Sequence, residues 1–238
     1  MSRFPTMAAA RVALMTKLQG ALVNRGLDAT STRDICGPSK AVTLYVNHHT
    51  VRVTANGYAV ATTFQNINAV VDAACSIWRA LLKEYAPDAC PASQPFEIRV
   101  SGMDRPPSFL EHAASPPVSS ALPGGNDEED WDVVVWVDAL AIPSAPGLSQ
   151  FFARFEDRLF AHPACCLPRA EIRPEWSKGF AYDSTRGAWA NEDVLARFRG
   201  LYPRWGECMK RLQEADPYDV FQTAWLRQFT RPPASATR

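Results

Sequence analysis

Glu97 and Arg99 are the two residues of this chain whose types and spacing most clearly suggest chemistry. They lie in the segment 96–100, which predicts a short strand. Side chains alternate along a strand, so both should point to one face, while the three apolar residues of the segment point to the core. By composition alone, such a pair is typical of a solvated ion pair. In a cleft, its carboxylate and guanidinium could instead be shared with a substrate oxygen.

The other candidate polar residues carry weaker signals. Lys178 lies in the segment 173–178 next to a predicted turn, where exposure to solvent is the ordinary outcome. The four histidines are scattered, and the adjacent His48 and His49 point to opposite faces of an extended chain, so no metal site is predicted. No phosphate-binding glycine loop, nucleophile elbow or zinc-protease motif is present. These residues therefore leave the function open.

The composition excludes several classes of partner. The 25 basic and 25 acidic side chains balance, so neither nucleic acid nor an anionic membrane surface is expected to bind. No apolar run is long enough for a membrane span, and no signal peptide is recognised, so we expect a cytoplasmic protein. The six cysteines are irregularly spaced and include no CxxC pair, which favours structural thiols, such as a buried Cys75, in a reducing compartment.

The amino-terminal half predicts a helix followed by strands. A helix is expected over 7–19, and β-rich runs follow at 43–46, 50–54 and 57–64. Asn56-Gly57 stands between the last two runs, and this dipeptide predicts a hairpin turn.

Helices dominate the remainder of the chain. Apolar residues recur at three- and four-residue steps over 67–85, again over 148–159, and in two later helices, the final one expected at 204–214. The apolar run 131–140 predicts a central strand, and the proline-rich stretch 104–130 predicts a surface loop that could act as a lid. This order of elements predicts a single α+β domain with a mostly antiparallel sheet.

Four pieces of the sequence, in order, resemble the substrate-binding domain of FAD-linked cholesterol (sterol) oxidases of the vanillyl-alcohol-oxidase type. They are the strand-rich opening, the Glu-x-Arg segment, the apolar run and a closing block with a Trp-x-Lys motif, at 42–60, 95–104, 132–140, and 173–182 with 216–226. The resemblance spans roughly residues 37–228. The closing block is shared more widely, including with aldonolactone and alditol oxidases.

The resemblance implies a large, mostly antiparallel β-sheet flanked by helices. It divides the chain into a lead-in at 1–36, the substrate-binding domain at 37–230 and a flexible tail at 231–238. Glu97 and Arg99 match the pair that faces the flavin and the reacting carbinol, and are the implied catalytic residues. Lys178 matches the lysine near the flavin end of the cavity.

The implied function is the substrate-binding part of an FAD-dependent oxidoreductase that oxidises a sterol 3β-hydroxyl with O2. In such enzymes, FAD is held mainly by another domain, which this chain lacks, so we expect inactivity until a flavin-binding domain or chain joins it. A split enzyme, a truncated product or an isolated domain would each explain this. The alternatives are a non-catalytic module that binds a sterol or another apolar ligand, and the cap of an aldonolactone- or alditol-type oxidase.

Overall fold

A four-stranded antiparallel sheet forms the centre of the protein. The computed structural model describes residues 53–86, 90–92, 95–103, 120–121, 131–143 and 145–230, with Arg25, Asp28 and Ala29 near the amino end. Within these residues, the strand order is β2-β3-β1-β4 and every pairing is antiparallel. The strands are β1 (Thr54–Thr62), β2 (Phe96–Gly102), β3 (Val133–Ala141) and β4 (Ala170–Pro174). The predicted α+β class is confirmed.

Two helices, α1 (Ile67–Lys83) and α2 (Leu148–Ala161), cover one face of this sheet. Both were predicted from their apolar stripes, which are buried against the central strands. Trp78 of α1 stacks on Phe96 at 4.8 Å between ring centres and meets Phe151 of α2 edge-on at 5.1 Å. Aromatic pairs of this kind add about 0.5–1.5 kcal/mol beyond the burial of their area. These contacts fix the position of β2 relative to both helices.

The opposite face of the sheet carries a smaller apolar cluster. It comprises Ala59, Ala61, Val134, Trp131 and Ala121, with Met103 and Trp136 packed against it. Strand β3 therefore buries side chains on both faces, which explains why its sequence is almost continuously apolar instead of alternating.

Three shorter helices follow the sheet: α3 (Glu192–Gly200), α4 (Trp205–Ala215) and α5 (Ala224–Thr230). The Asn191 side chain caps α3 by accepting a hydrogen bond from Val194 N at 3.4 Å. The helix predicted to be the final one is α4, and α5 follows it. Single 3-10 turns precede α1 and β4, at Phe64–Asn66 and Pro163–Cys165.

The predicted hairpin at Asn56-Gly57 is wrong, because both residues lie inside β1. Gly57 pairs directly with Asp138 of β3. A Cβ atom on Gly57 would stand 2.6 Å from Asp138 Oδ1 and 2.6 Å from Lys178 Cγ. Glycine is therefore required here because side chains from elsewhere approach the backbone of the strand closely.

Two smaller expectations are also corrected. Val100, predicted to face the core, is 49% exposed, because β2 is an edge strand and the helices cover only its first part. Cys75, expected to be buried, is partly exposed.

Several predictions concern residues outside the described ranges. They are the helix at 7–19, the strand at 43–46, the histidine pair, most of the loop 104–130 and the tail at 231–238. No helix in the described part of the chain has the length and apolar character needed to cross a membrane.

Candidate active site

Strand register brings the candidate residues together on the sheet face that lies opposite α1 and α2. Glu97 of β2 is paired with Asp138 of β3, which is paired on its other side with Gly57 of β1. One row therefore crosses three strands as Glu97, Asp138 and Gly57. In the next row, Arg99 is paired with Trp136. All these side chains point away from the helices because residues in register share a face.

Arg99 is the centre of the charged cluster. Its Nε lies 3.2 Å from Glu97 Oε1, and its Nη2 contacts Asp138 Oδ2 and lies 3.5 Å from Glu175 Oε2. The guanidinium also stands over the ring of Trp136, 5.9 Å from the ring centre. One cation thus contacts three carboxylates that come from different parts of the fold.

Burial divides these carboxylates into an outer and an inner group. The side chains of Glu97 and Arg99 are each 48% exposed, whereas those of Asp138 and Glu175 are 1% and 13% exposed. Arg99 therefore reaches from a solvent-facing acid to two acids within the fold. Glu97 and Arg99 are therefore accessible to a ligand, and Asp138 and Glu175 contact the guanidinium on its buried side.

The turn after β4 adds Glu175 and Lys178 to the cluster. Lys178 N donates to Glu175 O at 2.9 Å, which closes the turn, and its Nζ lies 4.0 Å from Glu175 Oε1. Gly179 ties the turn to β1, since Gly57 N donates to Gly179 O at 3.0 Å and Gly179 N donates to Ala55 O at 2.7 Å. These backbone bonds place Lys178 against Gly57 and near Asp138.

The electrostatics of the site centre on Asp138. The pKa of Asp138 is raised to about 6, chiefly by burial and next by the adjacent carboxyl of Glu175, which acts through a hydrogen bond and through its charge. The charges of Arg99 and Lys178 act in the opposite direction. Burial lowers the pKa of Arg99, but the three carboxylates around it outweigh burial and raise it. The guanidinium is therefore permanently charged, and Asp138 can change its protonation near neutral pH.

The three residues singled out from the sequence thus lie in one cluster. Glu97 and Arg99 are joined directly, and Lys178 reaches them through Glu175. Sequence reasoning missed Asp138 and Glu175. The signal for Asp138 was an acid inside an otherwise apolar central strand; Glu175 was visible only as a neighbour of the Trp-x-Lys motif.

A second buried carboxylate, Glu156 of α2, lies on the helix side of the sheet and serves the fold. It accepts hydrogen bonds from Tyr58 Oη at 2.5 Å, Ala181 N at 2.7 Å and Tyr182 N at 3.1 Å. Ala181 has a φ of 51°, an uncommon conformation for alanine that these bonds hold in place. Burial raises the pKa of Glu156 to about 7. This residue fixes the segment that follows Lys178.

A sheet covered by helices on one face, with a half-exposed charge cluster and an apolar cluster on the other, is suited to form one wall of a ligand site. The family described as cholesterol oxidase, substrate-binding matches residues 1–231. The chain therefore belongs to the cholesterol oxidase substrate-binding family.

Solved structures of cholesterol oxidases share this fold. The enzyme from Brevibacterium sterolicum superposes with a TM-score of 0.77 at 28% identity, over 94% of this chain and 43% of that one. A solvent-stable cholesterol oxidase gives 0.76 at 31% identity, over 96% and 46%. A histidine-to-alanine mutant of the Brevibacterium sterolicum enzyme gives 0.75 at 26% identity, over 96% and 46%. The chain thus spans less than half the length of each. No curated protein matches the sequence.

Proposed function

We propose that this domain supplies the substrate side of the active site of an FAD-dependent sterol oxidase, which oxidises a 3β-hydroxyl group with O2 once a flavin-binding domain is joined to it. The observation that carries the proposal is the half-exposed Glu97–Arg99 pair, held from behind by the buried Asp138. A solvated surface ion pair needs no such support. A pair that must meet a ligand in one fixed geometry does.

Glu97 is the proton acceptor in this proposal. Oxidation of an alcohol removes the hydroxyl proton and a hydride from the carbinol carbon, and the exposed carboxylate of Glu97 takes the proton. The chemistry that FAD supplies when bound is acceptance of the hydride. Arg99, next to Glu97, stabilises the negative charge that develops on the substrate oxygen.

The two cations of the cluster fit a cofactor that gains negative charge on reduction. Arg99 is charged and half-exposed, and Lys178 stands on the same side of the sheet, beside Gly57. Lys178 would lie towards the flavin, while Glu97 and Arg99 meet the carbinol. Fixed positive groups near a reduced flavin stabilise its charge without reorganisation.

The apolar environment beside the charges favours an apolar alcohol over a polyol. The rows that follow Glu97 and Asp138 on this face contain Ala59, Ala61 and Val134, which are buried against Trp131 and Ala121, and the partly exposed Trp136. A sugar alcohol needs a polar partner for each hydroxyl group, whereas a sterol needs one polar anchor and a large apolar wall. The arrangement of one charged row beside an apolar cluster supports the second.

A chimeric enzyme tests the proposal. The full chain would replace the matched region of the Brevibacterium sterolicum cholesterol oxidase, and flavin absorbance after gel filtration would establish loading. We expect production of hydrogen peroxide with cholesterol but not with sorbitol. Glu97→Gln should lower kcat at least about 100-fold, the usual contribution of a general base. Glu171→Gln is the matched control, because Glu171 lies on the same face but pairs with Arg173.

The alternative functions give different results in this experiment. A flavin-loaded chimera that binds cholesterol without turnover would indicate a non-catalytic sterol-binding module. Turnover of sorbitol instead of cholesterol would indicate the cap of an alditol-type oxidase. Equal activity of the Glu97→Gln and Glu171→Gln variants would remove Glu97 from the mechanism.

A further inference from the structure

Two buried carboxylate oxygens in the cluster lack a hydrogen-bond donor among the described residues. They are Oδ1 of Asp138 and Oε2 of Glu175. Arg99 satisfies the other oxygen of Asp138 and lies 3.5 Å from Oε2 of Glu175 as an ion-pair partner. A buried acceptor without a donor is costly, so such a group requires an explanation.

A proton held between the two acids explains both oxygens. Both carboxyl groups approach the same atom, Nη2 of Arg99, and so lie side by side. A hydrogen bond between two carboxyl groups requires that one of them be protonated. Two carboxylates that share a buried site cannot both ionise at ordinary cost. The shift in the pKa of Asp138 has the sign expected for this arrangement.

The neighbouring charges are consistent with a single proton. Strand β2 contributes Glu97 and Arg99, and the turn after β4 contributes Lys178. Strand β1 presents only Gly57 to Asp138, and Arg173 of β4 is paired with Glu171. With one proton on the two inner acids, the remaining carboxylate charges balance Arg99 and Lys178.

We propose that Asp138 and Glu175 share one proton and act as positioning residues, which set how the Arg99 guanidinium is divided between the inner acids and Glu97. Loss of the proton strengthens the inner attraction, draws Nη2 of Arg99 inward and weakens its contact with Glu97. Gain of the proton has the reverse effect. That this change in the Glu97–Arg99 contact affects catalysis rests on the proposed function. The shared proton itself does not rest on it.

Nuclear magnetic resonance of the full chain, without flavin, tests this inference. A pH titration would follow the carboxyl carbon of Asp138 and the side-chain Nε of Arg99. We expect the Asp138 signal to change with a midpoint at about 6, and the Arg99 signal to change at the same pH, because the two titrate as a unit.

Three variants separate positioning from a merely structural role. In Asp138→Asn, the Arg99 signal should no longer change around pH 6, since the amide mimics the protonated acid permanently. In Glu175→Gln, the Asp138 midpoint should fall by about one unit or more, because the charge of the neighbouring acid is gone. Glu171→Gln should leave both signals as in the wild type.

An Asp138 midpoint in the ordinary aspartate range would overturn the inference, as would an Arg99 signal that ignores the titration of Asp138. The wild-type titration decides the matter even if a variant fails to fold. An intact titration with an inactive chimera would refute the proposed function and leave the shared proton standing. An active chimera in which Asp138 does not titrate in this way would support the proposed function and refute the shared proton.

Discussion

Replacing Gly57 by alanine should displace Asp138 and Lys178, the two members of the charged cluster that contact this glycine. The new Cβ would lie 2.6 Å from Asp138 Oδ1, 2.6 Å from Lys178 Cγ and 2.9 Å from Lys178 Cβ, whereas comfortable contacts between such atoms are about 3.5–4.0 Å. Because Lys178 Cβ is attached directly to the backbone, the lysine cannot escape by rotating its side chain. The turn that carries Lys178 must therefore move away from β1.

The expected cost follows from two opposing effects. Overpacking at a filled site costs about 1–3 kcal/mol. Alanine in place of glycine restricts the unfolded chain and returns about 0.5–1 kcal/mol. We therefore expect Gly57→Ala to lower the free energy of unfolding by about 1.5 kcal/mol, measured by urea denaturation.

Gly102→Ala is the matched control for this experiment. Gly102 ends β2 in the same sheet, and a Cβ atom there would meet nothing within 4 Å. The control should be neutral or slightly stabilising, for the same reason of chain entropy. Equal stability of the two variants would refute the argument that Gly57 is required by close approach. In Gly57→Ala, the titration of Asp138 should also shift, because the clash includes its Oδ1.

Three further predictions concern the buried groups. Glu156→Leu leaves three donors without an acceptor and should lower the free energy of unfolding by about 4 kcal/mol, measured by urea denaturation. The control Glu214→Leu, on the exposed surface of α4, should change it by less than about 0.5 kcal/mol. Similar losses of stability in the two variants would contradict the anchoring role of Glu156. Burial raises the pKa of Glu156 to about 7 in the folded chain. The stabilisation from its protonation is therefore fully present below the ordinary glutamate pKa of about 4 and is lost as pH rises through about 7. The free energy of unfolding should fall by about 3 kcal/mol between these two pH values. A flat profile there, or a slope that persists in Glu156→Leu, would argue against it. Burial raises the pKa of Cys165 to about 12, so iodoacetamide at neutral pH should leave this thiol unmodified in peptide mass mapping; its alkylation in the folded chain would show that the segment opens.

Local pattern was sufficient for the elements and for part of the site. The helical spacing of apolar residues predicted α1 and α2, because a helix that buries one side must repeat its apolar residues every three or four positions. The two-residue period of a strand predicted that Glu97 and Arg99 share one face, as they do in β2. The four ordered segments indicated the family, which the comparison with known proteins confirmed.

Long-range pairing decided the remainder. Asn56-Gly57 has the composition of a turn, yet it lies within β1, because Asn56 and Gly57 pair with Ala139 and Asp138 of β3, from a distant part of the chain. Asp138 stands out locally only as an acid in an apolar strand, and Glu175 only as a neighbour of the Trp-x-Lys motif. Their contact with Arg99 depends on the pairing of β2 with β3 and on the turn after β4. Periodicity reports which side of an element is buried. Only the tertiary fold decides which other element covers it, and therefore which charges share one site.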